Sequence, residues 1–257
     1  VSAAEFARKL RARDKLVGYW IALDAPAATE RIARVGYDYL VVDVQHGLIG
    51  YSGMLNAMLA IDAAGAAEGL VRVGVNEPSE IGHALDAGAA GIIVPLVNTG
   101  EDAAAAVEAT RYPPRGRRSY GPMRSSLRVG PRPAEADEST VVIAMIETPE
   151  GLANVREICA TDGLDGVYVG PADLCLAVGG AYPGDPEVAE EFEAAVATIQ
   201  QAAAEAGIAA GFHVSDGEGA VPRLAQGYTF ASVSCDLLHL EAAAAGHLTA
   251  ATSELSR

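Results

Sequence analysis

Short apolar runs return through this sequence at intervals that leave room for one helix, and nothing else in it limits the fold as tightly. Eight can be marked, at 16–23, 39–44, 70–74, 91–97, 142–147, 166–170, 209–214 and 230–235. Between and after them lie Ala-rich helical stretches at 28–35, 51–64, 79–87, 101–110, 149–159, 187–206, 217–225 and 238–255. The runs are rich in Val and Ile without strict alternation, as expected of strands buried on both faces. Eight strand–helix units in 257 residues predict an α/β fold of the (β/α)8 type, a TIM barrel, built as one domain over 1–257. The competitor is an open doubly wound sheet. That fold would be expected to carry a glycine-rich phosphate turn, and neither GxGxxG nor GxxxxGK[ST] follows any strand.

The unit at 141–179 shows the logic locally. Two apolar runs each end in a carboxylate, Glu147 and then Asp173 just past Gly170-Pro171, with Thr148-Pro149-Glu150 opening a helix between them. A right-handed crossover brings both acids to the same end of one sheet, the end where α/β proteins do chemistry. Around a barrel, the residues just after each strand are Asp24; Asp43, Gln45 and His46; Arg72; Asn98; Glu147; Asp173; His213; and Asp236.

Chemistry thins that ring. Asp43 and His46 stand three residues apart before Gly47, so a carboxylate could bond the imidazole across the turn and fix the tautomer a general base needs. Arg72 interrupts an apolar strand, where a charge is costly unless it meets a ligand or a carboxylate; ion pairing and binding of an anion or enolate both fit. Glu147 and Asp173, without a Lys nearby, suit Mg²⁺ or Mn²⁺, which one or two carboxylates hold together with substrate and water. An N-cap role for Asp173 and an Arg ion pair for Glu147 are the structural alternatives. The only lysines are Lys9 and Lys15, ahead of the first strand, so no strand lysine can form a Schiff base.

Composition bounds the partners. A formal net charge of −16 disfavours nucleic acid and anionic lipid, which leaves a small molecule or a protein. Cys159, Cys175 and Cys235 are widely spaced and read as core thiols of a reducing cytoplasm. No run of about 18 apolar residues predicts a membrane span, and 1–16 lacks the apolar centre of a signal peptide. Seven of the sixteen arginines fall between Arg111 and Arg132, six of them in a long connection at 112–140. That loop could clamp a distal substrate carboxylate through Arg117 and Arg118, or make an oligomer contact.

These residues together resemble the HpcH/HpaI family of metal-dependent pyruvate aldolases, which cleave 4-hydroxy-2-oxo acids such as 4-hydroxy-2-oxoheptanedioate. The likeness runs through Gly18-Tyr19-Trp20, DYLVVDVQHG at 38–47, Arg72, Ala84-Leu85-Asp86-Ala87-Gly88, ATRYPPRG at 109–116, Ile146-Glu147-Thr148 and Gly170-Pro171-Ala172-Asp173-Leu174. It implies a barrel of the phosphoenolpyruvate/pyruvate-domain type with an exchanged C-terminal helix, assembled as a homohexamer. It further implies Glu147 and Asp173 as metal ligands, His46 as catalytic base, Arg72 as enolate stabiliser, and Asp43 and Asp86 as acids orienting His46. Gly170, Pro171, Ala172, Asp173, Arg72 and Trp20 would bind substrate, a 2-oxo acid formed together with an aldehyde. Gln45 departs from the Glu, and Cys175 from the Ser, found in several members. A malyl-CoA or citryl-CoA type thioester lyase would be expected to carry further C-terminal sequence over the CoA; a non-catalytic metabolite-binding barrel would keep the metal site without turnover.

Overall fold

Inward and outward side chains alternate along each strand, and on this chain both sets are apolar, so both faces of the sheet must be covered; the sheet closes on itself to cover one, and helices cover the other. The computed structural model describes residues 2–253. Its elements in order are α1 (Ala3–Arg11), β1 (Leu16–Ile21), α2 (Pro26–Ala33), β2 (Tyr39–Asp43), α3 (Tyr51–Ala64), β3 (Glu68–Arg72), α4 (Pro78–Asp86) and β4 (Gly91–Val94). There follow α5 (Gly100–Thr110), the short α6 (Ser126–Val129) and α7 (Pro133–Ser139), β5 (Val141–Ile146), α8 (Pro149–Ala153), α9 (Val155–Cys159) and β6 (Gly166–Val169). The chain continues through α10 (Pro171–Ala177), α11 (Ala189–Ala206), β7 (Ala209–Val214), α12 (Gly217–Ala225), β8 (Phe230–Cys235) and α13 (Asp236–Ser253). The eight strands pair in sequence order and β8 returns to β1, all in parallel, which is the predicted (β/α)8 barrel.

One core fills the barrel and a second lies between strands and helices. Leu16, Trp20, Tyr39, Val41, Leu70, Ile143, Met145, Tyr168 and Phe230 belong to the inner set, whereas Ile21, Leu40, Val42, Val71, Ile92 and Val142 face outward. The large inner rings need small neighbours. A Cβ on Gly18 would lie 2.3 Å from the Tyr39 ring, so only glycine lets that fully buried tyrosine cross the barrel to Ser232, 2.9 Å from its hydroxyl.

Four differences from the sequence reading have local causes. Most strands stop one to three residues early, because the last residues turn out to form the mouth; β3 also starts earlier, at Glu68. The helix expected over 149–159 breaks at Asn154, whose side-chain amide donates to the Asn98 carbonyl at 2.9 Å. The unforeseen α1 buries Ala3, Phe6, Ala7 and Leu10 against the inner core and closes the N-terminal end of the barrel. Its apolar stripe is narrow and hidden among five basic residues at 8–15. The last helix begins at Asp236, two residues before the expected start, and 254–255 of the expected range lie outside the described residues. No helix among the described residues is long and apolar enough to cross a membrane.

Packing of this kind has little room for an added methyl. Gly18→Ala should lower the unfolding free energy by about 1–3 kcal/mol through overpacking against Tyr39, read as a lower urea midpoint at unchanged slope. An unchanged midpoint would mean that the ring moves freely.

Candidate active site

The parallel register sets Asp43 at the end of β2 directly beside Arg72 at the end of β3. Arg72 donates through Nε to Oδ1 at 2.9 Å and through Nη2 to Oδ2 at 2.6 Å, a two-pronged buried pair. The Trp20 indole N–H adds a bond to Oδ2 at 3.1 Å, and its ring lies 5.1 Å from the guanidinium. Oδ1 also accepts the backbone N–H groups of Gln45 and His46 at 3.1 and 3.2 Å. Burial pushes the Asp43 carboxyl up, but Arg72's hydrogen bonds and charge outweigh it and hold the group below its usual value.

This arrangement corrects the expected Asp43–imidazole bond. Asp43 fixes the backbone of the turn that presents His46, while the His46 ring itself sits exposed and has no hydrogen-bond partner among the described residues. Arg72 uses two of its five N–H groups on Asp43 and keeps the rest for the mouth.

Glu147 follows β5 on the inward side and is 3% exposed. Its Oε1 accepts the Leu96 N–H at 2.8 Å, and Leu96 takes a left-handed backbone (φ 54°) to aim that donor. Oε2 has no hydrogen-bond donor among the described residues. Burial raises the Glu147 carboxyl, and the neighbouring Asp173 charge raises it further, against the lowering influence of the Leu96 bond and Arg72. Gly170 makes room for it: a Cβ there would fall 2.5 Å from Oε2. Asp173, exposed in the first turn of α10, completes a pair of carboxylates with no histidine or cysteine added; no trio of metal-ligating side chains occurs among the described residues. Two carboxylates kept together without a lysine fit a hard divalent cation that takes its other ligands from substrate and water. No side chain caps α10, so the N–H groups of Ala172 and Asp173 at its start are unclaimed; Pro171 contributes only its ring.

Opposite, inward-facing His213 stands edge-on to Trp20, with ring centroids 5.2 Å apart, and its Nδ1 lies 3.5 Å from the Tyr168 hydroxyl. Burial, with the Arg72 charge adding, lowers its pKa to about 4, so it is neutral at neutral pH.

Two expectations lie at the other end of the barrel. Asp86 is the last residue of α4, a helix that runs back from the mouth, and accepts from Arg118 at 2.8 Å; within the chain it does not approach His46. The 112–140 connection follows α5 and is therefore also a bottom loop. Its arginines, and Arg111 just before it, pair with the chain's own acids: Arg111 with Asp165 at 3.5 Å, Arg128 with Asp62 at 3.0 Å and Glu68 at 3.1 Å, Arg117 with Glu108 at 3.6 Å, and Arg124 with Asp62. Within one chain, then, Arg117 and Arg118 are not a substrate clamp at the mouth. The part that sequence reasoning underused is Trp20 as Asp43's third side-chain bond; its inward position two residues after Gly18 was the available sign.

A family model described as HpcH/HpaI aldolase/citrate lyase matches residues 16–243. The chain belongs to this family. It is 44% identical over 233 residues to a hydroxypyruvate/pyruvate aldolase of Rhizorhabdus wittichii, covering 90% of this chain and 92% of the relative. It is 38% identical over 208 residues to a 4-hydroxy-2-oxo-heptane-1,7-dioate aldolase of Klebsiella pneumoniae, covering 79% and 78%. A solved HpcH/HpaI aldolase/citrate lyase family structure from Burkholderia cenocepacia superposes with a TM-score of 0.88 at 32% identity, over 96% of this chain and 99% of that one.

The depressed His213 pKa has a consequence for this HpcH/HpaI family member. The unfolded chain takes up that proton near the ordinary value of 6.5 but the folded state does not until about 4. The stability tied to His213 is therefore full above the ordinary value and is lost as pH falls through that window. Urea unfolding of wild type and His213→Gln should show the wild type losing more stability between about pH 7 and about pH 4.5. Equal losses would place the imidazole in water.

Proposed function

We propose that this family member, acting as a single barrel domain, reversibly cleaves a 4-hydroxy-2-oxo acid to pyruvate, or hydroxypyruvate, and an aldehyde. The observation that carries the reading is Arg72. Its guanidinium is locked by Asp43 and Trp20 yet keeps free donors beside the buried Glu147 carboxylate. Cleavage of the bond between C3 and C4 moves negative charge onto the C2 oxygen, and a fixed cationic donor stabilises that charge more than it does the neutral ketone. Glu147 and Asp173 would hold Mg²⁺ or Mn²⁺, which when bound supplies Lewis-acid polarisation of the 2-oxo acid.

The remaining groups have roles that follow from where they sit. His46, held at the mouth by its backbone bond to Asp43, takes the proton of the C4 hydroxyl as cleavage proceeds and returns it in the synthetic direction. The N–H groups of Ala172 and Asp173 offer a place for the substrate carboxylate, with Gly170 leaving space beside Glu147 and Pro171 walling one side. Trp20 holds the floor under Arg72. The relatives named above as hydroxypyruvate/pyruvate and 4-hydroxy-2-oxo-heptane-1,7-dioate aldolases support this substrate class.

Assembly and place in the cell belong to the same reading. Beyond Asp236 the described part of α13 is exposed, including Leu238, Leu240 and Leu248, which supports exchange of this helix between subunits of a homohexamer. A reducing cytoplasm suits the free thiols of Cys159, Cys175 and Cys235.

The test is pyruvate release from a panel of 4-hydroxy-2-oxo acids by chelator-treated protein, with and without Mg²⁺ or Mn²⁺. Turnover should require the metal, and His46→Ala should lower kcat by about 10²–10⁴-fold. Binding of pyruvate with no turnover under any condition would contradict the reading.

A further inference from the structure

Beside the mouth lies a cavity of about 750 Å³ that the chemistry described so far does not use. It exists because the chain after β6 forms two helices where one would cover the sheet: α10 ends at Ala177, and a proline-bearing loop leads to α11 at Ala189. The gap is walled by α10, α11, α12 and the outward face of β7. Three of its lining residues, Pro171, Ala172 and His213, also border the mouth. Ala172 precedes the carboxylate of Asp173, and the His213 ring meets Trp20. These residues are therefore shared between the cavity's rim and the mouth.

Its walls say what it takes. Phe192 and Phe212 supply the broad surfaces, and Arg223 lies against them, 6.0 and 4.5 Å from their ring centroids. That guanidinium is neutralised in place: Glu193 accepts two bonds from it at 2.7 Å each, and Gln226 another at 3.0 Å. With its one cation already paired and rings and prolines around it, the cavity favours an uncharged, largely apolar group. The volume is within the range of small-molecule sites, about 300–1,000 Å³, and far exceeds what a two-carbon aldehyde would fill.

We infer that this cavity receives the distal arm of the aldehyde half of the substrate, an aryl or long alkyl group passing between Ala172 and His213. The inference rests on the aldolase reading above and names its acceptor. The neutral His213 ring, whose second nitrogen has no hydrogen-bond partner among the described residues, sits at the passage and can meet a hydroxyl on the arm without adding charge.

Filling the cavity from exposed positions tests this without touching the reacting centre. Ala189 at the start of α11 and Gln226 at the end of α12 both line it and are exposed. Synthesis from pyruvate would be followed with acetaldehyde and with 3-phenylpropanal, in wild type, Ala189→Trp and Gln226→Trp, with native size checked by light scattering. Each substitution should raise KM for 3-phenylpropanal by about tenfold or more and leave kcat and KM for acetaldehyde unchanged. Equal effects on both aldehydes, no effect on 3-phenylpropanal in either variant, or a change of assembly state in place of a kinetic one would overturn the proposal. Wild type that turns over acetaldehyde but gains nothing from the phenyl arm would overturn the cavity assignment alone. Absence of turnover with either aldehyde would overturn the aldolase reading and this inference with it.

Discussion

Arg72 can end a barrel strand at 8% exposure only because Asp43, in register on the adjacent strand, accepts two of its N–H groups. A buried guanidinium without a partner would be strongly destabilising, and so would the carboxylate alone. The pair thus fixes three things together. It locks the cation over Trp20, it anchors the turn carrying His46, and it leaves positive potential facing Glu147. At Glu147 that potential and the Leu96 N–H pull the carboxyl's pKa down, partly offsetting burial and the Asp173 charge, which push it up. Each group is costly alone, and the set is stable because the costs offset one another at one end of the barrel.

Topology explains which charges serve chemistry and which serve the scaffold. Loops that follow strands lie at the mouth, and loops that follow helices lie at the opposite end. β3 shows both on one strand: Arg72 at its end faces the mouth, whereas Glu68 at its start meets Arg128 from the 112–140 connection. The arginine-rich stretch therefore acts within the chain as a belt tying the bottom of the barrel to Asp62, Glu68, Asp86 and Asp165. Its exposed Tyr120, Met123 and Leu127 are left for other contacts.

The barrel was legible because buried parallel strands leave short Val/Ile runs at regular spacing, and His46, Arg72, Glu147, Asp173 and His213 at the mouth followed from counting to strand ends. What could not be read was side-chain pairing. Asp43 has both His46 and Arg72 within reach on sequence grounds, and the cross-strand register, which no local motif encodes, gives its side chain to Arg72. Asp86 and Arg118 were misplaced for a different reason. Family likeness gave Asp86 its role and loop length and charge gave Arg118 its own, while the αβ rule, available from the same sequence, puts both at the far end of their own chain's barrel. The amphipathic α1 was hidden because its buried Phe6 and Leu10 are outnumbered locally by charges. The cavity beside β7 depends on where a helix breaks, which propensity resolves poorly.

The central claim is that the Asp43-locked Arg72 and the Glu147–Asp173 pair together stabilise negative charge on the oxygen of a 2-oxo acid. Exchange of the pyruvate methyl protons in heavy water, followed by proton NMR with no aldehyde present, isolates that step. The account predicts exchange that requires Mg²⁺ or Mn²⁺ and falls sharply in Arg72→Gln and in Glu147→Gln, with pyruvate still bound. Exchange at the wild-type rate in either variant, or without metal, would contradict it.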